Sequence, residues 1–273
     1  MKVTILGSGS AGNAILVETA NTRVLVDAGF SGRDLERRLA HVAVEPASLD
    51  ALLITHDHAD HTRGMGVFAR RWGVPLYLTE PTRRACAALL SGAEPVCAYA
   101  TTACVPIGEL QVQPFLTVHD AVDPVAVTLT EPATGEKLGI ATDLGRPTAG
   151  VRHALRECDL LVLEANHDEA LLRASRYPWS VQARIASSHG HLSNHAAAEL
   201  LAELFHPRLG GVVLAHLSEN ANDPGLAADT VGAALARLHF RGELHVAGQH
   251  APLEPIDLSA LRRRRLPPQL SLL

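Results

Sequence analysis

The sequence predicts a four-layer α/β sandwich, with two β-sheets face to face and helices outside, in a single domain over residues 1–255. Meanders of short apolar runs of strand length alternate with helix-length stretches. No fixed-period repeat recurs and no linker divides the chain. At 273 residues, 47% of them hydrophobic, the chain can bury one large core.

Strand 2–6 breaks at Gly7-Ser8-Gly9-Ser10-Ala11-Gly12-Asn13. That turn lacks the Lys-Ser/Thr ending of a P-loop, and a strand rather than a helix follows it, so it reads as a tight connection whose amides can line a site. Runs 14–18 and 23–27 flank Thr19-Ala20-Asn21-Thr22 and form a hairpin. Ser31 caps a helix that runs to about residue 40. Leu52-Leu53-Ile54 reads as a buried strand, 64–72 as a helix, 74–78 as a strand and 81–90 as a helix. Residues 92–109 are Ala-, Thr- and Pro-rich, without a period, and read as irregular or edge structure. Strands follow at 110–117, 124–130 and 137–141, with Pro132-Ala133-Thr134-Gly135 as a hairpin turn. Then come helix 147–156, strand 160–163, a helical stretch 167–174 and a loop through Tyr177-Pro178-Trp179. Helix 194–205, strand 211–215, helix 224–238 and strand 243–246 close the domain, and 256–273 reads as an Arg-, Pro- and Leu-rich tail.

The formal net charge of −5 gives no global electrostatic case for a nucleic-acid binder, although bound cations would reverse the local sign. Cys86, Cys97, Cys104 and Cys158 show no C-x-x-C spacing and read as thiols of a reducing compartment. The opening Met1-Lys2-Val3-Thr4-Ile5-Leu6 is strand-like rather than a signal peptide. No apolar run is long enough to span a bilayer, so the expectation is a cytoplasmic protein without a membrane partner. The run Arg262-Arg263-Arg264-Arg265 reads as a solvated terminal charge cluster, with phosphate contact the less favoured alternative.

The chemistry concentrates in Thr55-His56-Asp57-His58-Ala59-Asp60-His61. His56 and His58 sit two apart, so an extended chain points both imidazoles to one side. Histidine and aspartate in H-x-H-x-D-H spacing, directly after a hydrophobic strand, are a ligand set for zinc, manganese or non-haem iron. Further histidines and carboxylates also end apolar strands: His119-Asp120 after 110–118, Asp143 after 137–141 and His216 after 211–215. A rigid sheet holds residues so placed at fixed distances and leaves room for a substrate.

This order, H-x-H-x-D-H, a histidine, Thr142-Asp143-x-Gly145 and a late histidine, resembles the metallo-β-lactamase-fold hydrolases over nearly the whole chain. The finer texture is similar to the YycJ/WalJ-like branch, related to tRNase Z and other phosphodiesterases. The resembling stretches are Gly7–Asn13, Val26-Asp27-Ala28-Gly29, His119–Pro124, Glu164–Asp168, Ser188–Asn194 and Ala215–Pro224. Val125-Ala126 departs from the pattern, where a glycine is expected nearby, but lies outside the ligand set. The resemblance implies two divalent ions, Zn²⁺ or Mn²⁺ with iron as a further option. One is held by His56, His58 and His119 and the other by Asp60, His61 and His216, with Asp143 between them. It implies catalytic roles for Asp60, Asp143 and His191, a hydroxide shared by the metals as nucleophile, and His191 as donor of the proton to the leaving group.

Ser10, Asn13, Ser218 and Asn220 are expected to line the site. Glu164, Asn166 and His167 read equally as cleft residues or as a strand cap with helix-start polarity. Asp27 reads equally as a group that orients a ligand imidazole or as a turn aspartate. The activity implied is a DNA exonuclease of 5′–3′ polarity, with nucleic acid as partner. The alternative is a small-molecule hydrolase of the same fold, cleaving a cyclic phosphodiester, thioester or lactone. No inserted arm or extra cysteine cluster favours a tRNA-processing or cyclic-phosphate enzyme, and no fused flavin-binding domain favours a flavodiiron-like module.

Overall fold

The computed structural model describes residues 1–264. The first half runs β1 (Lys2–Gly7), β2 (Ala14–Glu18), β3 (Arg23–Val26), α1 (Gly32–His41), β4 (Ala51–Leu53), α2 (Ala59–Thr62), α3 (Met65–Trp72), β5 (Leu76–Thr79), α4 (Glu80–Ala85) and β6 (Val96–Tyr99). The second runs β7 (Val105–Ile107), β8 (Leu110–Leu116), β9 (Val125–Glu131), β10 (Glu136–Ala141), α5 (Ala149–Ala154), β11 (Leu160–Glu164), α6 (Glu169–Ala174), α7 (Trp179–Ile185), α8 (Asn194–Leu204), β12 (Gly211–Ala215), α9 (Pro224–Arg237), β13 (Glu243–Val246), β14 (Ile256–Asp257) and α10 (Leu258–Arg263). Among the described residues these strands form two seven-stranded sheets, ordered β14-β1-β2-β3-β4-β5-β6 and β13-β12-β11-β10-β9-β8-β7.

Period-two alternation explains why the sheets stack. In β3, Val24 and Val26 face the inter-sheet core while Leu25 packs on the outer helices. In β11, Leu160 and Val162 face inward while Leu161 and Leu163 meet the helices of the second sheet. In β12, Val213 and Ala215 divide from Val212 and Leu214 in the same way. Each sheet therefore buries both faces, the condition for a four-layer αββα sandwich. β3 and β4 run parallel, as do β10, β11 and β12. β1 and β8 are each separated from these by one antiparallel neighbour and share their direction. Carboxyl ends from both sheets thus gather along one edge, where ligands of open α/β sheets bind.

Several elements differ from the sequence reading. The stretch 92–109 contains two edge strands, β6 and β7, half-exposed and therefore without a hydrophobic period. The helix expected over 64–72 is preceded by a four-residue turn of helix, α2, that carries Asp60 and His61. The loop expected at Tyr177-Pro178-Trp179 opens helix α7. Residues 256–264 are not a free tail: β14 pairs with β1 at the sheet edge, and α10 buries Leu258 and Leu261. Arg262 forks onto both carboxylate oxygens of Asp159 at 2.8 and 2.7 Å and donates to the Thr134 and Gly135 carbonyls. It is thus engaged in a contact within the fold, whereas Arg265 and the rest of 265–273 lie outside the described residues. No helix is long and apolar enough to cross a membrane.

The docking of α10 has a measurable consequence. Leu261 is 4% exposed and packs over Gly210 and Gly211. Leu261→Ala should lower unfolding stability by about 2–4 kcal/mol in urea titration, the range for emptying a buried leucine site. A loss near zero would show that this helix does not belong to the cooperative unit.

Candidate metal centre

Six of the site residues are delivered by strand ends. Asp27 follows β3 and His56 follows β4; His119 follows β8 and Asp143 follows β10; Glu164 ends β11 and His216 follows β12. His58 caps α2, which carries Asp60 and His61 one turn further on. Asp27, Asp143 and His216 adopt the left-handed region, with φ of 64°, 58° and 55°. Asp and His tolerate that region better than β-branched residues, and the sharp reversal turns each side chain back across the sheet edge.

Hydrogen bonds fix which nitrogen of each imidazole is free. A carbonyl can only accept, so His119 Nδ1 donates to the Gly190 carbonyl at 3.0 Å and His58 Nε2 donates to the Asp120 carbonyl at 3.2 Å. The opposite nitrogens, His119 Nε2 and His58 Nδ1, then face each other at 3.2 Å as two lone pairs. Thr55 Oγ1 sits 3.0 Å from each Asp27 oxygen and donates to that carboxylate. It therefore accepts from His56 Nδ1 at 3.1 Å, which leaves His56 Nε2 buried with no hydrogen-bond partner. Burial holds His56 well below the ordinary imidazole range and lowers His119 too, so both rings are neutral. Three ring nitrogens thus converge, an arrangement that a cation between them would satisfy.

The adjoining cluster is richer in negative charge. His61 Nδ1 donates to Asp27 Oδ2 at 2.8 Å, and its Nε2 lies 3.1 Å from Asp143 Oδ2 and 3.6 Å from Asp60 Oδ2. His216 Nε2 lies 3.2 Å from Asp60 Oδ2 and 3.5 Å from Asp143 Oδ1. Burial works against charge on these two rings. The surrounding carboxylates outweigh it, led by Asp27 at His61 and by Asp143 at His216, and raise both well above the usual range. Asp143 Oδ2 is buried, and its 3.1 Å approach to His61 Nε2 lacks the direction of a hydrogen bond. Ligand atoms of His56, His58 and His119 lie within 4.8 Å of one another, as do those of Asp60, His61 and His216. Asp143 belongs to two further groupings, with His56 and His61 and with Glu164, His191 and His216. This set of converging imidazoles and carboxylates, with the buried unpaired His56 Nε2 among them, fits divalent cations.

The residues expected around this set divide into two classes. Asp27 binds His61 and Thr55 as described. Asn13 accepts from the Ser8 hydroxyl and Gly9 amide and directs Nδ2 toward the Asp60 carbonyl and His61 Nε2 at 3.3 and 3.2 Å. Asn166 donates to the His216 carbonyl at 2.8 Å. Glu164, fully buried, accepts from the Leu144 and Leu192 amides, from His191 Nδ1 at 2.7 Å and lies 3.3 Å from His216 Nδ1. His191 also has Nδ1 3.7 Å from Asp143 Oδ1. Burial lowers its basicity, but the Glu164 and Asp143 carboxylates prevail and raise it. Ser10, by contrast, is exposed and contacts none of these groups. Ser218 Oγ caps its own turn by accepting from the Asn220 and Ala221 amides, and Asn220 Nδ2 donates to the Tyr177 hydroxyl. His167 is buried one residue beyond Asn166, with its Nδ1 unpaired.

Other participants are Ser8, Thr55 and Gly29, to which the sequence reading gave no role of their own, and Asp120, which it marked only as a strand-end carboxylate beside His119. Ser8 Oγ accepts the His216 amide at 2.8 Å and so ties the glycine-rich turn of one sheet to a strand end of the other. Thr55 buttresses Asp27. Asp120 places Oδ1 3.3 Å from His119 Nε2 and pairs Oδ2 with Arg184 at 3.1 Å. Gly29 lets the α2 turn pass: a Cβ there would sit 1.6 Å from the Asp60 carbonyl. Position within a polar turn was the available signal for Ser8, and it did not separate Ser8 from Ser10.

A model of the β-lactamase superfamily domain matches residues 22–216. Exodeoxyribonuclease YycJ of Bacillus anthracis is 32% identical to this chain over 87% of it and 90% of its own length. Exodeoxyribonuclease WalJ of Streptococcus pneumoniae is 35% identical over 86% of this chain and 88% of its own. Among solved structures, the metallo-β-lactamase fold protein YhfI of Bacillus subtilis aligns with a TM-score of 0.70 at 19% identity, covering 92% of this chain and 98% of that one. The short form of human tRNase Z aligns at 0.64 and 18% identity, over 93% and 99%. On the match over most of its length, the two sandwiched sheets and the histidine-aspartate clusters at their shared edge, the chain belongs to the β-lactamase superfamily.

Proposed function

We propose that this chain is a two-metal phosphodiesterase that acts on nucleic acid, a DNA exonuclease of 5′–3′ polarity. Superfamily membership and the donor clusters make it a metal-dependent hydrolase. The observation that carries the finer reading is the pair of buried Glu164 and half-buried His191 beside those clusters. It occurs in a chain 32–35% identical, over most of its length, to two proteins named as exodeoxyribonucleases.

In this reading His56, His58 and His119 hold one ion and Asp60, His61 and His216 the other, while Asp143 serves both because a carboxylate offers an oxygen to each. The imidazole-rich set favours zinc by softness, and carboxylates at both positions keep manganese eligible. Divalent ions bound there supply Lewis acidity and water activation. Asp27 and Glu164 orient His61 and His216, and Asn166 steadies the His216 backbone. His191 needs no metal for its task. Glu164 takes Nδ1–H, which fixes the ring orientation and leaves Nε2 as the nitrogen that delivers a proton to a departing alkoxide oxygen. The same carboxylate favours the charged ring, so the proton is present before it is needed.

The substrate class is tested by assaying the metal-loaded protein on end-labelled single- and double-stranded DNA, RNA, a nitrophenyl phosphodiester, β-lactams and acyl thioesters. Phosphodiesters should be cleaved and the acyl compounds left essentially intact; a dominant thioesterase or lactonase rate would defeat the reading. Asp143→Ala should lose at least one metal equivalent, measured by elemental analysis, and two full equivalents in that variant would remove its shared role. His191→Ala should keep both metals and the fold yet slow DNA cleavage by ~10²–10⁴-fold, the usual contribution of a general acid. That deficit should shrink on a nitrophenyl diester, whose leaving group departs unprotonated. Equal losses on both substrates, or a lost metal, would make His191 a ligand instead.

A further inference from the structure

Between Glu164 and His191 the chain makes an excursion through α6 and α7 that the metal chemistry does not use. Trp179 opens α7 and is 81% exposed, the most exposed large apolar side chain among the described residues. The other tryptophan, Trp72, is partly buried and donates to Glu36 at 3.0 Å. A bare indole in a chain with only 4% aromatic residues calls for a ligand. Trp179 forms one wall of a cavity of about 210 Å³, with Leu172, Arg173 and Gln182 around it and His167 and the carboxylate of Glu169 also among its lining residues. That volume is below the range of drug-sized pockets and suits a single planar ring system.

His167 is 3% exposed and its Nδ1 has no hydrogen-bond partner, so it bears a desolvation penalty that a pairing group would relieve. Arg173 and Arg176 are exposed on the same excursion and have no ion-pair or hydrogen-bond partner among the described residues. The cavity also adjoins the proton donor. His167 bridges Ser193, two residues past His191, and the His191 amide donates to the carbonyl of Ile185 at the end of α7.

We propose that this cavity is a nucleobase subsite. A base of a single-stranded segment stacks on Trp179, its edge approaches His167, and the flanking phosphates meet Arg173 and Arg176. Stacking on an aromatic platform beside free cations is how single strands are held without sequence readout. A second copy of the chain would cover Trp179 equally well but would not account for the unpaired imidazole or the two free arginines. The inference rests on the nucleic-acid reading above and deepens it.

The test compares wild type, Trp179→Ala and Trp179→Phe as metal-loaded enzymes on end-labelled single-stranded DNA and on the nitrophenyl diester, which has no base to stack. The ratio of kcat/KM for DNA over the diester should fall by about 5–100-fold in Trp179→Ala, mainly through KM, as loss of one stacked base implies. Trp179→Phe should recover most of it. An unaltered ratio in Trp179→Ala, with wild type active on DNA, overturns the subsite and leaves the nuclease reading intact. Loss of self-association in sedimentation, again with an unaltered ratio, overturns it in favour of a protein interface. Wild type that cleaves the diester but no DNA defeats the nuclease reading, and the subsite falls with it.

Discussion

The structure depends on reconciling charge at one buried place. Asp27, Asp143 and Glu164 are each at most 4% exposed, Asp60 is half-buried, and six imidazoles turn nitrogens toward them or toward one another. Carboxylates removed from water without compensation cost far more than any single packing contact returns. Protons can supply part of the compensation, as the raised His61 and His216 show. They cannot supply it at His56, whose free nitrogen is buried with no hydrogen-bond partner and whose basicity burial suppresses. Divalent cations held by these donor groups would answer both needs at once, settling the site as well as equipping it for chemistry.

The fold meets that condition through strand direction. Both sheets send carboxyl ends to the same edge, and the two halves are tied together there by polar contacts. The Ser8 hydroxyl of the first sheet accepts from the His216 amide of the second, and the Thr55 carbonyl accepts from the Val125 amide. The left-handed turns at Asp27, Asp143 and His216 store local strain, and the hydrogen bonds around them hold it. The rigidity that results belongs to the sandwich core, whose side chains interdigitate from both sheets.

Most of this frame was legible in the sequence, because strands buried on both faces are apolar runs that end where chemistry begins. The α2 burst was legible because all its ligands lie within six residues. The strand-end ligands were legible as a series, since no one of them stands out alone. What escaped was whatever depends on a partner distant along the chain. β6 and β7 are half-exposed edge strands, so their residues carry no period. α7 buries only Ile185, too little to announce a helix after Tyr177-Pro178. In α10 the arginine run hid the Leu258 and Leu261 spacing that docks it. Thr55 and Ser8 act through groups 28 and 208 residues away in sequence, a relation that only the closed sandwich creates.

The excursion from Glu164 to His191 shows how one segment can couple grip to chemistry. Its two ends meet at the shortest contact of the His191 ring, the 2.7 Å bond from Nδ1 to Glu164. They are pinned again where the Asn166 amide donates to Leu192 and the Asn194 amide donates to His167. Asp168 caps α6 with two amides, and Gln182 of α7 reaches back to the Tyr177 carbonyl, so the interior of the excursion is braced as well. At its far end Arg184 pairs with Asp120, whose other oxygen lies beside His119. A segment closed on itself and anchored at both ends cannot shift its outer surface independently of His191. Whatever occupies that surface is therefore held at a fixed position relative to His191, and the exposed indole of Trp179 lies on the same braced segment.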